Sequence, residues 1–598
     1  MKKEFLRSIV LTTTLASVTP IPNDQASGIV VSAGTHISSD SPRTPFVETF
    51  LAINPRNPKN LVAASMVGTE GAVVSRVYAS RDGGLMWQRA RSATDVNPIF
   101  KGADPTVYFD SEGTAFFSTL QTEGLGISRS TDGGFTWGDP IIVLGGHDDR
   151  EFMAFDDSGG KFNGRIYVGA ATRIIEKNGK RHLAIDIAYS TDHGVSFSPG
   201  TITTGDWQSG EYLDLSDPLV TPEGKLVVPF ESYSYPPLPG PSHASQLWTM
   251  VSQDGGHTFS PALPGPSVTT AEGFQMLKSF SFPRAAIDLS SGVHRGRIYI
   301  TWANYNSKRY AIAIAHSDDL GMTWAPPVVV NDNQSEGDPA NPAIAVNKDG
   351  VVGVTFNDRR DDPNNSCFRL YFAASLDGGE TFLPNTKASD NLTCPMAPGN
   401  WALETSSYRV GNRVEFAILS VAGRWPNGGD TQGLVATPDG VFHSAWINGE
   451  SGVMQLWLKE IKVDTTKMMQ SPFATHREYL GGDLSLELTR PEINFATHIV
   501  SVRARLANRS AIAIPGPFLL VLDDMDDSTL KNLQVMNADN GVLARGASWS
   551  FTIGGKGSLG PQEKSDERII QWAFKGNLPE DNHVPVGAHF IILGGSAQ

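Results

Sequence analysis

Ser130-Thr-Asp132-Gly-Gly134-Phe-Thr-Trp137 reads as a turn that carries its own lock. Asp accepts hydrogen bonds from backbone amides, Gly takes a positive φ, and the final aromatic packs back over the turn. The pattern S-x-D-x-G-x-T-W/F returns at Ser80-Arg-Asp82-Gly-Gly84-Leu-Met-Trp87 and Ser190-Thr-Asp192-His-Gly194-Val-Ser-Phe197. It returns again at Ser252-Gln-Asp254-Gly-Gly256-His-Thr-Phe259, Ser317-Asp-Asp319-Leu-Gly321-Met-Thr-Trp324 and Ser375-Leu-Asp377-Gly-Gly379-Glu-Thr-Phe382. Successive serines lie 50, 60, 62, 65 and 58 residues apart, a spacing that signals a repeat architecture. Upstream of the turns lie β-branched runs of strand length, such as Arg165-Ile-Tyr-Val-Gly-Ala170 and Arg297-Ile-Tyr-Ile-Thr-Trp302. Each unit holds about four strands, and four-stranded sheets repeated radially make a β-propeller.

The repeated turn is the Asp box, and the chain resembles the sialidase superfamily of Asp-box propellers over about residues 45–462. Seven strand units are counted, with first strands beginning near Glu48, Asp104, Glu151, Asp214, Arg284, Asp338 and Asp430. The resemblance implies six blades, so the expectation is an all-β chain with a six- or seven-bladed propeller. The seventh unit, from Gly433 to Leu458, lacks the turn, and residues 27–45 are expected to add a strand to the last blade. After about residue 470 the turns stop. Alternating stretches such as His498-Ile-Val-Ser-Val-Arg-Ala-Arg-Leu506 predict an immunoglobulin-like β-sandwich. The organisation expected is a signal peptide over 1–26, a propeller over 27–465 and a sandwich over 475–598. The sandwich reads as a spacer or adhesion unit, with carbohydrate binding as the alternative.

Composition sets the limits. The chain has 598 residues, 40% hydrophobic and 19% charged, with 60 Gly and 38 Pro, a globular make-up rich in turns. The net charge of −15 argues against a nucleic-acid partner. Lys2, Lys3 and Arg7 before the apolar run Ser8–Val18 read as an export signal, and no later run is long enough for a membrane span. The expected location is secreted, periplasmic or cell-surface. Cys367 and Cys394 are expected to pair there.

In a propeller, loops entering first strands and leaving second strands share one face, where the channel opens. The entering loops are acidic: Thr44-Pro-Phe-Val-Glu48, Ala103-Asp104-Pro105, Asp148-Asp-Arg150-Glu151, Ser216-Asp-Pro218, Gly337-Asp338-Pro339 and Gly429-Asp430, with Ser281-Phe-Pro-Arg284 as the exception. A ring of carboxylates would raise pKa values or bind a cation, so Ca²⁺ at the mouth is one expectation, though no cofactor is required. The bland alternative is that these residues cap backbone amides. The catalytic candidates are Asp104, Glu151, Asp338 and Asp430 from this ring, with Glu231 and Tyr233 from one leaving loop. The resemblance implies a Tyr nucleophile paired with Glu and an arginine clamp for a substrate carboxylate. Arg150, Arg173, Arg284, Arg359 and Arg360 are the clamp candidates, with Tyr305 beside them; the family's F/Y-R-I-P motif is absent. Trp207, Trp401 and Trp425 are candidate sugar-stacking platforms. The leading expectation is an exported, exo-acting, sialidase-like glycoside hydrolase for acidic sugars. The alternatives are a non-catalytic glycan- or protein-binding propeller and a polysaccharide lyase.

Overall fold

The computed structural model describes residues 28–595 except 70–71, 93–99, 122, 146–147, 176–180, 205–210, 235–243, 270–282, 306–308, 334, 401–402, 411–412, 421–424, 466–476, 480–483, 489–491, 495–496, 527–533, 543–546, 555 and 574–586. Side chains beside several of these stretches also lie outside the description, as does the expected signal segment 1–26.

Seven antiparallel sheets follow one another along the chain. Blade one is built from Phe46–Ile53, Leu61–Thr69, Ala72–Ser80 and Gln88–Arg89. Blade two holds Ala103–Phe109, Ala115–Gln121, Gly124–Ser130 and Ile141–Leu144, and blade three Asp148–Phe155, Ile166–Ile175, Arg181–Ser190 and Thr201–Thr204. In blade four the inner strand is broken into Glu211–Leu215 and Leu219–Val220, followed by Leu226–Ser234, Ala244–Ser252 and Leu263–Thr269. Blade five runs through Arg284–Ile287, Ile298–Tyr305, Tyr310–Ser317 and Val328–Val329. Blade six runs through Pro339–Val346, Val352–Asp358, Arg369–Ser375 and Thr386–Lys387. Blade seven takes Gly433–Ala436, Phe442–Asn448 and Gln455–Val463 from one end of the ring and Ile29–Val31 from the other.

That last pairing closes the circle. Ile29, Val30 and Val31 lie antiparallel to Val463, Lys462 and Ile461, and Thr35–His36 pairs with the same strand further along. The inner strand of each blade packs on that of the next all the way round. The ring therefore has seven blades, one more than the family resemblance implies, and the unit without an Asp box is a full blade.

Each repeated turn is held by the same serine-to-aspartate and glycine-to-serine bonds. In blade two the Ser130 hydroxyl donates to Asp132 Oδ1 at 2.8 Å, and Gly134 N donates to Ser130 Oγ at 3.0 Å. Phe135 N and Thr136 N also donate to Asp132 Oδ1, and Trp137 Nε1 reaches back to Gly134 O at 2.9 Å. Trp137 is fully buried between blades, so the turn ties strand chemistry to blade packing.

Between blades six and seven the chain makes a separate hairpin, Leu403–Val410 with Arg413–Ser420, whose first strand lies against blade one. Cys367 and Cys394 are disulfide-bonded across 27 residues just before it. From Arg477 to Gly595 two larger antiparallel sheets and a short ribbon, Ile514–Pro515 with Ser558–Leu559, enclose a core of Leu506, Phe518, Leu520, Trp549, Ile570 and Trp572, which makes a β-sandwich. No helix among the described residues is long and apolar enough to cross a membrane.

Asp132→Ala should lower the free energy of unfolding by about 1–3 kcal/mol, because it strands the Ser130 hydroxyl and two amides. Asp132→Asn, which keeps an acceptor, should lose less. Denaturant midpoints of the full chain measure both.

Candidate active site

The inner strands are not smooth. Glu48, Asp104, Arg150 and Asn341 adopt left-handed backbone, with φ of 53°, 51°, 57° and 51°. Each sits where the inner-strand ladder of blades one, two, three and six slips register. These are bulges, which re-aim side chains, and a left-handed non-glycine residue costs roughly 1–3 kcal/mol. Strain of this kind repeated at one end of the channel points to function rather than packing.

The bulged residues of blades one to three meet in one small pocket, with a cavity volume of about 20 Å³. Glu48, Asp104, Arg150, Glu151, Phe152 and Asp430 line it, with Pro105, Thr106 and Thr431. Glu48 is fixed from two sides: Trp425 Nε1 donates to its Oε1 at 2.7 Å, and its own amide donates to Gly428 O at 2.9 Å. Gly429 is required here, since a Cβ on it would lie 2.2 Å from Glu48 N. Burial pushes the Glu48 carboxyl well above its ordinary range, and Asp104 and Asp430 add to the shift. Burial and then the Asp149 charge push Asp104 up to about 7, while its hydrogen bond with Glu48 pulls the other way. Their side-chain hydrogen bond favours the protonated form of Glu48 and the ionised form of Asp104.

Glu151 is 1% exposed, and neither of its oxygens meets a hydrogen-bond partner from another described residue. Burial first, and Asp104 second, raise its pKa far above the usual value. Beside this trio lies Arg150, with Asp214 Oδ2 at 3.8 Å from Nε and Asp430 Oδ2 at 3.5 Å from Nη2. Asp214, raised to about 6 chiefly by burial, accepts a bond from the Tyr233 hydroxyl at 3.4 Å. Asp214 pairs across the ladder with Glu231, so Asp214, Glu231 and Tyr233 share one face of blade four. Tyr233 itself is raised by burial and by Asp214, and it remains a phenol at neutral pH.

Of the sequence-derived candidates, Asp104, Glu151, Asp430 and Arg150 therefore share the pocket, with Glu231 and Tyr233 at its flank. Asp338 does not join them. Its carboxylate accepts from Tyr310 N at 3.0 Å and from Asn365 Nδ2 at 2.8 Å, a capping role. The blade-six residue at the bulge is Asn341, three positions on. Among the described side chains the arginines do not converge as a clamp. Arg284 grips Asp217 with two bonds of 2.8 and 2.9 Å and lies between the rings of Phe50 and Phe152, at 5.2 and 5.3 Å. Arg359 is buried against the carbonyls of Asp338 and Pro426 and the side chain of Asn427. Arg360 pairs with Asp358 and Asp332 and covers Tyr371 at 4.2 Å. The Arg173 side chain lies outside the described residues. Tyr305 packs on Tyr310 at 5.2 Å, and Trp425 is 4% exposed, so its indole is a brace and not a stacking platform. Trp207 and Trp401 lie outside the described residues. Among the described residues no group of three or more His, Cys, Asp or Glu is arranged to hold a metal ion.

Glu48, Asp214 and Asp217 join the site from outside the set of candidates drawn from the sequence. Glu48 and Asp217 stand in the acidic entering loops, but nothing local marks the bulge at Glu48 or the axial reach of Arg284 to Asp217.

A scan against protein families found no match, and none of the curated proteins matches the chain. Solved structures with similar folds include an ulvan lyase of a polysaccharide lyase family, 11% identical over 71% of this chain and 95% of that one, with a TM-score of 0.42. An α-L-arabinanase of Penicillium chrysogenum is 16% identical over 55% of this chain and 94% of its own, at a TM-score of 0.36. The sialidase NanB of Streptococcus pneumoniae is 11% identical over 73% of this chain and 99% of its own, at 0.35. The likeness is one of fold, and the reading of the site rests on its own geometry.

Arg284→Ala would leave Asp217 charged and unpaired near the axis, and should cost about 3–5 kcal/mol of stability by denaturant unfolding. Asp104 titrates higher in the folded chain than in the unfolded one, so its contribution is fully present below about pH 4. That contribution is lost as pH rises toward about 7. Asp104→Asn should flatten this loss, by up to about 1.4 kcal/mol per pH unit, in melting curves taken from pH 4 to 7. A difference between wild type and variant that does not change with pH would contradict the shift.

Proposed function

We propose that this protein is an exported glycan-cleaving enzyme, a glycoside hydrolase that works with the buried carboxyls at the channel mouth. The observation that carries the reading is Glu151, a buried carboxyl with no partner from another described residue, facing the pocket beside the hydrogen-bonded carboxyls of Glu48 and Asp104. Hydrolysis of a glycosidic bond needs one carboxyl that keeps its proton at neutral pH and one carboxylate that does not. In this proposal Glu151 protonates the bridging oxygen as the leaving sugar departs. Asp104, with Glu48 holding the shared proton against it, takes a proton from the attacking water. Arg150 pairs with Asp430 and Asp214 and holds them in place.

The finer sialidase-like version, acting on acidic sugars, would use the Glu231–Tyr233 face. It has less support, because Arg284, Arg359 and Arg360 are each committed to other partners. A lyase would draw on Tyr233 beside Arg150, but a phenol with a raised pKa is a poor base. Export is supported by the N-terminal pattern and by the Cys367–Cys394 bond, which fits an oxidising compartment.

The test is a screen of the purified chain on neutral, amino and anionic glycosides and polysaccharides, following reducing ends and the ultraviolet absorbance of unsaturated uronates. Glu151→Gln should lower hydrolysis by about 10²–10⁴-fold with the fold intact. Activity that survives chelation favours acid–base work over Ca²⁺ at the mouth. Unsaturated products would establish the lyase instead, and glycan binding without turnover would establish the binding propeller.

A further inference from the structure

At the end of the ring opposite the mouth, one carboxylate stands where other blades make a contact. In blades one, three and five the residue that follows the inner strand is covered by a glycine in the next blade's turn. A Cβ on Gly113 would lie 3.1 Å from the Asn54 side chain, one on Gly224 3.3 Å from Asp156 Oδ2, and one on Gly350 3.4 Å from Asp288 Oδ2. Asp110 holds the same position in blade two and has no such cover. The loop it faces, in blade three, takes ten residues, 156–165, where blade two's own turn takes five, 110–114. Gly164, near the end of that longer loop, has nothing within 4 Å of where its Cβ would be. A cavity of about 190 Å³ fills the gap, and every residue lining it belongs to the described part of the chain.

Asp110 is 6% exposed. Its Oδ1 accepts from Glu112 N at 3.0 Å and Thr114 N at 2.8 Å, both in its own turn. Its Oδ2 is buried and meets no donor. With Oδ1 turned to its own backbone, Oδ2 points away from the turn, toward the cavity that Asp110 lines. A buried carboxylate oxygen left unmet is costly, so the cavity is where its partner belongs. Glu112, Asp156 and Asp157 bring three more carboxylates to the lining. The one lining guanidinium, Arg165, donates to Gly255 O and lies over the rings of Phe162 and Tyr189, at 4.7 and 4.3 Å. Arg56 bridges Glu112 from outside the lining at 2.6 Å. Two negative charges are left over, the charge that one divalent cation neutralises. At about 30 Å³ per water the cavity has room for about six waters, the inner shell of a hydrated ion. Among the described residues no three His, Cys, Asp or Glu are gathered to strip an ion of its water. Mg²⁺, which keeps several waters and takes one or two carboxylates, fits such a place better than Ca²⁺, which draws on six to eight oxygens.

We infer that the cavity between blades two and three binds a hydrated divalent cation, met by Asp110 Oδ2 and held through its waters by Glu112 and Asp157. Such an ion ties the turn of blade two to the long loop of blade three. It lies at the Asp-box end of the ring, so the inference stands apart from the hydrolase reading. The test is calorimetric titration of the full chain with MgCl₂ and, separately, CaCl₂, in about 0.15 M NaCl to screen loosely held counter-ions. Mg²⁺ should fill one site with a dissociation constant of about 1 mM or below, and amide hydrogen exchange should slow across residues 156–165 when it is added. Asp110→Asn keeps the acceptor its own turn needs, and should weaken binding by at least about tenfold and remove the exchange effect. Asp157→Asn, at the exposed rim, should weaken binding a few-fold and carries the test should Asp110→Asn fail to fold. Asp430→Asn, at the mouth, should change neither measurement. Absence of a site, a site that both Asp110→Asn and Asp157→Asn leave intact, or one that Asp430→Asn removes would overturn the inference. Tighter binding of Ca²⁺ with the same loss in Asp110→Asn keeps the site and changes only which ion it prefers.

Discussion

The guanidinium of Arg284 is where the ring meets itself. It comes from blade five, grips Asp217 from blade four, lies between Phe50 of blade one and Phe152 of blade three, and reaches Gln432 O of blade seven at 3.4 Å. A propeller blade packs mainly on its two neighbours, so little in the fold ties distant blades together except the ring closure and the axis. Here the axis is filled by a charge that is paid for by a two-pronged carboxylate and two ring faces. The inner strands cannot slide relative to one another without breaking that set. This fixes the bases of Glu48 and Glu151, which project from the strands of Phe50 and Phe152.

A rigid axis also makes the strained bulges tenable. Left-handed Glu48, Asp104 and Arg150 would each relax if their strands were free. Held in place, they bring carboxyls from blades one, two, three and seven into a space too small for all of them to ionise. Desolvation and mutual repulsion then do the same thing to each, raising Glu48 and Glu151 and taking Asp104 to about 7. Arg150 offsets part of this and is itself held charged by Asp214 and Asp430.

How much of this was legible in the residues depended on range. The six turns are local, and so is their chemistry; they gave the propeller, the blade order and the sandwich after it. The strand contributed by residues 29–31 followed from the need to close a ring whose last unit is short of an outer strand. The acidic entering loops located the channel mouth. Asp338 was misplaced because Asp-Pro recurs as a local signal, whereas the position equivalent to Asp104 is set by a bulge, and the bulge in blade six falls at Asn341-Pro342. The arginines were misjudged for a related reason. Residue type says that a guanidinium can hold a carboxylate, and only the assembled fold shows that Asp217, Asp358 and the carbonyl beside Asn427 hold them first.

The acidic residues of this chain end in two opposite conditions. In the repeated turns, Asp192 is drawn down to about 2 by the Ser196 hydroxyl and amide, and sits in solvent as a permanent anion that ties a turn. At the mouth the same side-chain type is buried with too few donors and keeps or shares a proton near neutrality. Both depend on the backbone that presents the carboxyl: an open turn whose amides point inward to it, or a bulge that points it at other carboxyls. The turns sit between third and fourth strands, and the bulges of blades one, two, three and six at the entrance of first strands, at the opposite end of the blade. A single repeat thus supplies a stabilising turn at one end and, where a bulge is present, a buried carboxyl with a raised pKa at the other.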